Sequence, residues 1–282
     1  MNPRTISATF KMKDVMEGAG VLLKRGFSNV EAGLFDPFLL FDDFSSNIPE
    51  HYQAGFPWHP HRGMETVTYI LDGAVRHKDS LGNEGVIESG ALQWMTAGSG
   101  IIHEEMPESV HGIRGFQLWV NLPKANKMDK PRYQDLVGKS VPETSLGSNA
   151  RVKIVAGSLA NVTGPLESIA GSPLYADITL EAYGSVSIPV PDGHTVFAYV
   201  IEGALGLDDG KDVFYAPGTI LLFNKNGTEA NLRAPIAGAR FLLIAGAPLN
   251  EPIAWHGPIV MNTNEELQEA FSDLDRGTFI RP

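Results

Sequence analysis

Residues 55–73 read GFPWHPHRGMETVTYILDG, and residues 90–107 read GALQWMTAGSGIIHEEMP. Each stretch contains two potential metal ligands spaced two residues apart: His59 and His61 in the first, His103 and Glu105 in the second. Side chains alternate between the faces of a strand, so residues two apart point the same way, about 6.6 Å from each other. Two such pairs on strands that meet across a barrel direct three imidazoles and one carboxylate at one point.

Imidazole and carboxylate ligands suit divalent transition metals such as iron, zinc, nickel or copper better than calcium or magnesium. We therefore interpret these four residues as a metal site and as the functional site of the protein. The chain has no cysteine, so a metal must be held by nitrogen and oxygen. A further carboxylate, Glu65, shares the strand parity of His59 and His61. From the residues alone, Glu65 competes with Glu105 as the carboxylate ligand.

The sequence around these pairs predicts short β-strands joined by turns. A β-branched run over residues 66–71 ends at Asp-Gly, which is a hairpin signal. The 30 glycines and 19 prolines are dispersed, as in an all-β protein with many turns. Asp42 and Asp43 are interpreted as a solvated turn at a strand end. The one convincing helix lies in the tail, where Thr263 and Glu266 form a capping-box pattern before an apolar stripe.

A second set of strands repeats the first about 130 residues further on. VFAYVIEGAL at 196–205 matches TVTYILDGAV at 66–75, and APGTILLF at 216–223 matches SGALQWMT at 89–96. Matching landmarks at a constant spacing predict a duplicated barrel. At offsets of 130 and 128 the four ligand positions fall on residues without a ligand set: Pro189, Pro191, Asn231 and Arg233.

The predicted fold class is all-β, with two tandem antiparallel, jelly-roll-like β-barrels and a short C-terminal helix. Residues 1–134 are expected to form the metal-binding N-terminal barrel. Residues 135–282 are expected to form a metal-free C-terminal barrel that includes the helix. The polar segment 123–150, rich in Lys, Pro and Ser, is the best linker candidate.

The charge balance and hydropathy argue against several kinds of partner. With 33 acidic and 22 basic residues the net charge is −11, which argues against a nucleic-acid groove or an anionic membrane surface. No run of about 18 apolar residues is present, so no membrane partner is expected. The first residues, MNPRTISATFKMKD, lack the apolar core of a secretory signal, and we expect a cytoplasmic protein.

The spacing of His59, His61, Glu65 and Gly73, followed by a distant histidine after a glycine-rich turn, resembles the cupin pattern. Within that superfamily the pirin family is closely similar over nearly the whole chain, in the phrases HPHRGMETVTYILDG, LQWMTAGSGIIHEEMP, GFQLWVNLP, HGPIVMNTNEE and LFDPFLLFDDF. The resemblance implies a bicupin whose N-terminal barrel holds one metal, Fe(II), with Zn, Ni, Cu, Mn and Co as alternatives. The implied ligands are His59, His61, His103 and Glu105. Glu65 would then orient a ligand imidazole through a hydrogen bond.

The resemblance to quercetin 2,3-dioxygenase-like pirins implies a metal-dependent dioxygenase, a quercetinase that opens the ring of a flavonol with dioxygen. In that mechanism Glu105 loosens from the metal and acts as the catalytic base toward the substrate hydroxyl. The alternative is a non-catalytic iron or redox sensor that binds an unidentified protein partner according to its metal state. A structural bicupin with a vestigial site is a third interpretation. The four intact ligands, beside their absence from the repeat, argue against it.

Overall fold

The computed structural model describes residues 2–136, 141–166 and 169–281. Most of the described chain is β-structure, and its two α-helices are α1 (Ala32–Phe35) and α2 (Asn264–Arg276). Helix α2 begins with the predicted capping box, in which the Thr263 hydroxyl accepts from the Glu266 amide. These features confirm the predicted all-β class with a short C-terminal helix. Among the described residues, no helix has the length and apolar character needed to span a membrane.

Twelve strands lie in the first half of the chain. They are β1 (Ile6–Lys11), β2 (Lys13–Glu17), β3 (Val21–Phe27), β4 (Phe38–Asp43), β5 (Phe56–His61), β6 (Met64–Asp72), β7 (Ala74–Asp79), β8 (Glu84–Glu88), β9 (Leu92–Thr96), β10 (Ile101–Pro107), β11 (Arg114–Asn121) and β12 (Arg132–Leu136). Two short 3-10 helices, Pro49–His51 and Lys124–Asn126, lie between strands.

The remaining strands follow in the second half. They are β13 (Glu143–Ser145), β14 (Ala150–Ala156), β15 (Ser158–Leu159), β16 (Val162–Thr163), β17 (Leu174–Leu180), β18 (Ser185–Pro189), β19 (Thr195–Gly203), β20 (Gly206–Leu207), β21 (Thr219–Phe223), β22 (Glu229–Arg233), β23 (Ala239–Gly246), β24 (Ala254–His256) and β25 (Ile259–Met261). Strands β12 and β13 lie within the segment that sequence analysis favoured as a linker, and residues 137–140 of that segment lie outside the described residues.

The chain divides into two compact units, and each contains one terminal segment from the far end of the sequence. The first unit comprises Lys13–Lys139 and Leu249–Pro282, and the second comprises Met1–Met12 and Ser140–Pro248. The predicted boundary between residues 134 and 135 placed residues 1–12 in the first barrel and residues 249–282 in the second. The compact units differ from this division at both ends, and helix α2 lies in the first unit.

Sheet pairing explains the placement of the N-terminal segment. The main sheet of the first unit has the order β12-β9-β6-β11-β4-β3-β2, and that of the second has the order β1-β21-β19-β23-β17-β14-β13. The two orders match strand for strand, so β1 occupies beside β21 the place that β12 occupies beside β9. Without β1, strand β21 would expose an unpaired edge of backbone N–H and C=O groups.

The matching sheets also confirm the predicted duplication. Strands β6 and β19 correspond, as do β9 and β21, and these are the strands that the sequence repeat aligns. A smaller sheet accompanies each main sheet, with the order β5-β10-β7-β8 in the first unit and β18-β22-β20 in the second. Each unit therefore contains one large and one smaller antiparallel sheet, and the smaller sheet of the first unit has one strand more than that of the second.

Buried polar groups fix the C-terminal segment within the first unit. The Lys127 ammonium donates to Asn121 Oδ1 at 2.7 Å and to the carbonyl oxygens of Gly63 and Val260 at 2.8 and 2.9 Å. Burial lowers the pKa of Lys127 to about 7. The Arg62 guanidinium donates to Asp273 Oδ2 at 2.8 Å. These bonds satisfy cations that would otherwise be costly to bury, and they hold the tail against the loop after β5.

Arg62 also contacts the last described residues of the tail. Its guanidinium donates to the Phe279 carbonyl oxygen at 2.9 Å and lies 4.2 Å from the centre of the Phe279 ring. The Val260 amide donates to the Arg62 carbonyl oxygen at 3.0 Å. Arg62, which follows His61 in sequence, is thus hydrogen-bonded to the chain both before and after helix α2.

Gly63 allows the tail to approach this closely, which leads to a stability prediction. A Cβ on Gly63 would collide with the Val260 carbonyl oxygen, whereas a Cβ on Gly82 would meet nothing within 4 Å. Both glycines have positive φ, +77° and +88°, so alanine carries similar backbone strain at either position. We expect Gly63→Ala to lower the free energy of unfolding by about 1–3 kcal/mol more than Gly82→Ala, because only the former adds a steric clash. Equal melting temperatures for the two variants would show that the tail does not pack against Gly63.

Candidate metal centre

Neighbouring strands β5 and β10 bring three of the predicted ligands together. The strands are antiparallel, with His103 opposite His59 and Ile101 opposite His61. Cross-strand neighbours project from the same face of a sheet, and so do residues two apart on one strand. The three imidazoles therefore meet on one face of the small sheet, and we call them the three-histidine group.

The three-histidine group has the dimensions of a metal site. The ring centroids are 4.8 Å apart for His59 and His61, 4.4 Å for His59 and His103, and 5.0 Å for His61 and His103. One potential ligand atom from each ring lies within 4.8 Å of the other two. Among the residues that the structure describes, no other group of three His, Asp or Glu side chains meets this criterion.

Burial keeps these imidazoles in the neutral form that binds metals. It lowers the pKa of His59, and it lowers the pKa values of His61 and His103 well below the ordinary range, where the neighbouring imidazoles act in the same direction. Both ring nitrogens of His103 are buried without a hydrogen-bond partner in the described part of the chain. Such nitrogens are rare unless another ligand satisfies them. Because these donors are neutral and nitrogen-based, the group fits a divalent transition metal.

Glu105 follows His103 by two residues, but it is not part of the group whose ligand atoms all lie within 4.8 Å of one another. A register shift follows His103, so Glu105 lies opposite Phe56. Glu105 is 8 % exposed, and its Oε1 accepts from the Thr68 hydroxyl at 3.0 Å. Burial raises the pKa of Glu105 to about 7, and the Thr68 hydrogen bond opposes this rise. Its predicted role as a metal ligand stays a prediction.

Thr68 links the Glu105 carboxyl group to Gln117. The Thr68 hydroxyl oxygen lies 3.0 Å from Glu105 Oε1 and 2.7 Å from Gln117 Oε1. A hydroxyl group carries one hydrogen, so Thr68 donates to only one of these neighbours at a time. Either the Gln117 amide nitrogen donates to Thr68 and Thr68 donates to a Glu105 carboxylate, or a protonated Glu105 donates to Thr68 and Thr68 donates to Gln117. Both contacts can be hydrogen bonds only when the orientation of the Gln117 amide matches the charge of Glu105.

Glu65, the competing carboxylate, is also buried but lies on the main sheet. It is 1 % exposed, and its Oε1 accepts from the Thr96 hydroxyl at 2.7 Å. Its strand, β6, pairs with β9 and β11, whereas the three-histidine group lies on β5 and β10. The proposed hydrogen bond from Glu65 to a ligand imidazole stays a prediction.

The second unit has apolar side chains at the positions of the four predicted ligands. In that unit Ile188 lies opposite Ala230, as His59 lies opposite His103 in the first unit. The four equivalent residues are all buried in the core of the second unit: Ile188, Val190, Ala230 and Leu232. The sequence offsets placed each equivalent one residue further along, at Pro189, Pro191, Asn231 and Arg233. That alignment is corrected by strand parity, because neighbouring residues in a strand point to opposite faces.

A cavity of about 790 Å³ opens beside the three-histidine group within the first unit. His59, His61 and Glu105 contribute to its wall. Apolar side chains form much of the remaining lining: Val21, Leu23, Leu40, Phe44, Phe56, Val75, Ile113 and Trp119. This volume is typical of a binding site for a small organic molecule.

The cavity wall also includes polar residues that sequence analysis missed. Asp42, interpreted as part of a solvated turn, is 4 % exposed and accepts two hydrogen bonds from Arg25, at 2.8 and 2.7 Å. Arg25 also donates to Glu17 at 2.7 Å. Burial raises the pKa of Asp42 to about 6, and the Arg25 guanidinium opposes this rise. The available signal was strand parity, because Asp42 shares a face with Leu40, two residues before it.

Two barrels with matching main sheets in one chain, one of which contains three histidines that could hold a metal ion, define a bicupin with a candidate metal site. The chain belongs to the pirin family. The family model described as Pirin matches residues 20–120, and the model described as Pirin C-terminal cupin domain matches residues 175–280.

Similar proteins support this assignment over nearly the full length. A protein of Pseudomonas aeruginosa named "Putative quercetin 2,3-dioxygenase PA3240" is 45% identical over 93% of both chains. A protein of Caulobacter vibrioides named "Pirin-like protein" is 43% identical and covers 99% of this chain and 100% of its own. The crystal structure of quercetin 2,3-dioxygenase from Acinetobacter baumannii superposes with a TM-score of 0.89 at 34% identity, covering 98% of both chains.

The three-histidine group leads to a prediction about metal content. We expect the purified protein to contain about one metal ion per chain and His103→Ala to lose most of it, because a ligand imidazole is removed. The exposed His111 serves as the matched control, and His111→Ala is expected to retain the metal. Elemental analysis of protein purified without added metal provides the measurement. Full metal content in His103→Ala, or two ions per chain, would contradict the assignment.

Proposed function

We propose that this pirin is a metal-dependent dioxygenase that opens the ring of a flavonol such as quercetin, with Fe(II) held by His59, His61, His103 and Glu105. The observation that carries the proposal is the position of the three-histidine group in the wall of a largely apolar cavity of about 790 Å³. A site that served only to stabilise the fold would not need a cavity of that size beside it. The names of the two dioxygenase-like relatives support the same activity.

The cavity provides suitable surfaces for a flat aromatic substrate. Trp119 meets the His61 ring edge-on, with centroids 5.2 Å apart, and Phe56 lies 6.4 Å from the His59 ring. Aromatic side chains of this kind stack on, or meet edge-on, the rings of a flavonol. They place its 3-hydroxy-4-keto group toward the imidazoles and exclude water from the reacting atoms.

Glu105 is the residue suited to moving the substrate proton. A bound divalent metal would act as a Lewis acid and lower the pKa of the substrate 3-hydroxyl. Glu105 accepts that proton at its carboxylate, and a pKa near neutrality suits a general base. Thr68 holds Oε1 by a hydrogen bond of 3.0 Å and so fixes the direction of the carboxylate.

Oxygen consumption separates this enzyme from a sensor that only binds its ligand. We expect dioxygen uptake in proportion to added quercetin, measured with an oxygen electrode. We expect His61→Ala to abolish the uptake while circular dichroism still shows a folded protein, because the apolar cores supply most of the stability. Saturable binding of quercetin without uptake would contradict the dioxygenase and favour the non-catalytic iron or redox sensor.

A pair of conservative variants tests which carboxylate serves the metal. We expect Glu105→Gln to lower both bound metal and flavonol turnover, because the amide is a weaker ligand and no base. We expect Glu65→Gln to keep most of the metal, because Glu65 is hydrogen-bonded to Thr96 on the main sheet. Each variant is assayed for metal content and for oxygen uptake. The two residues exchange roles if Glu65→Gln loses the metal while Glu105→Gln retains both metal and rate.

A further inference from the structure

A line of polar side chains crosses the inner face of the main sheet in the first unit. It consists of four residues in register on four neighbouring strands: Thr68 on β6, Gln117 on β11, Asp42 on β4 and Arg25 on β3. All four contribute to the wall of the 790 Å³ cavity. We call this line the polar row. It begins at Thr68, which is hydrogen-bonded to Glu105, and spans three strand spacings, or about 14 Å.

The fold itself does not require polar residues at these positions. The second unit has the same sheet, and the corresponding row there is entirely apolar and buried: Ala198, Leu243, Ala176 and Ile154. Burying polar groups costs free energy unless they are hydrogen-bonded, so an apolar row is the more stable choice for a barrel core. The polar row is therefore a feature of the cavity and its occupant.

Arg25, at the far end of the row, has hydrogen-bonding capacity to spare. A guanidinium carries five N–H donors, and within the described part of the chain three of them bond to Asp42 and Glu17. Two donors thus remain beside the Asp42 carboxylate, which is itself an acceptor with free lone pairs. One guanidinium and two carboxylates give this end of the cavity a net charge of −1, which disfavours an anionic ligand.

From this arrangement we infer that Arg25 and Asp42 form a second binding subsite, which recognises phenolic hydroxyl groups at the end of the substrate remote from the three-histidine group. An uncharged hydroxyl donates to Asp42 and accepts from Arg25, and the net charge selects it over a carboxylate or phosphate. The ligand class is an uncharged, flat aromatic molecule of two or three rings with hydroxyl groups at both ends. Gln117, between the two ends, lies alongside its rings. This inference rests on the proposed function for the orientation of the substrate.

Binding measured without turnover tests the subsite. Calorimetric titration of the metal-loaded protein under anaerobic conditions compares 3-hydroxyflavone, which carries hydroxyl only at the metal-binding end, with quercetin, which carries further hydroxyls on both outer rings. We expect quercetin to bind at least about ten-fold more tightly to the unmodified protein, because a hydrogen bond to a charged group contributes that much. We expect Asp42→Asn to remove most of this preference while changing the affinity for 3-hydroxyflavone little.

The second unit offers a matched control. Asp177 accepts two hydrogen bonds from Arg240, at 3.1 and 2.7 Å, and is 3 % exposed, so this pair resembles Asp42 with Arg25 but lies outside the cavity. Asp177→Asn is expected to retain the full preference for quercetin. Arg25→Lys provides a second variant, which keeps the positive charge. We expect it to reduce the preference for quercetin as well, so it tests the subsite also where Asp42→Asn does not fold.

The outcomes distinguish this subsite from the dioxygenase activity. An unchanged preference in both Asp42→Asn and Arg25→Lys, or equal affinities of the unmodified protein for the two compounds, overturns the subsite even where oxygen uptake is intact. A preference that depends on Asp42 supports the subsite, also where no oxygen uptake is found and the dioxygenase proposal fails. If neither quercetin nor 3-hydroxyflavone binds, both the subsite and the dioxygenase proposal are overturned.

Discussion

The pairing of β5 with β10 is the constraint on which the candidate site depends. His59 lies opposite His103, and the parity of β5 then brings His61 to the same face. Slippage by one residue would turn one set of imidazoles to the other face of the small sheet. The register shift after His103 is equally specific, because it places Glu105 opposite Phe56 and within reach of Thr68. Such irregularities commonly redirect a side chain next to a functional site.

Strand parity also explains how much of the molecule was predictable from sequence. The period of two identified the three-histidine group, and the repeat identified two barrels, since both signals are local patterns. The exchange of terminal segments was not predictable in this way, because a pattern within β1 does not specify its partner β21. Asp42 was misinterpreted because a pair of acids is usually solvated, and its partner Arg25 lies on another strand. The equivalents of the ligands were displaced by one residue because sequence offsets do not preserve parity.

The two barrels show what a buried polar site costs in free energy within one architecture. One unit fills the inner face of its main sheet and its small sheet with residues such as Ile188, Leu232 and Leu243. Each fully buried side chain of this kind contributes about 1.5–3 kcal/mol to stability. The other unit replaces these with imidazoles, carboxyl groups and the polar row, and it encloses a cavity. After the duplication, one unit thus has an apolar core, and the other unit has the polar groups and the cavity of the candidate site.

The tail bound to Arg62 has a consequence for the order in which the protein is completed. A ribosome releases the chain from its N-terminus, so the strands bearing His59, His61 and His103 emerge long before residues 249–282. Until residues 249–282 emerge, Arg62 lacks its hydrogen-bond partners Asp273 and Phe279. Domains usually fold as units during synthesis, beginning with the N-terminal one. Here the barrel with the three-histidine group cannot close until residues 249–282 have been made, so a nascent chain arrested before helix α2 would carry the three histidines without the contacts of Arg62 to the tail.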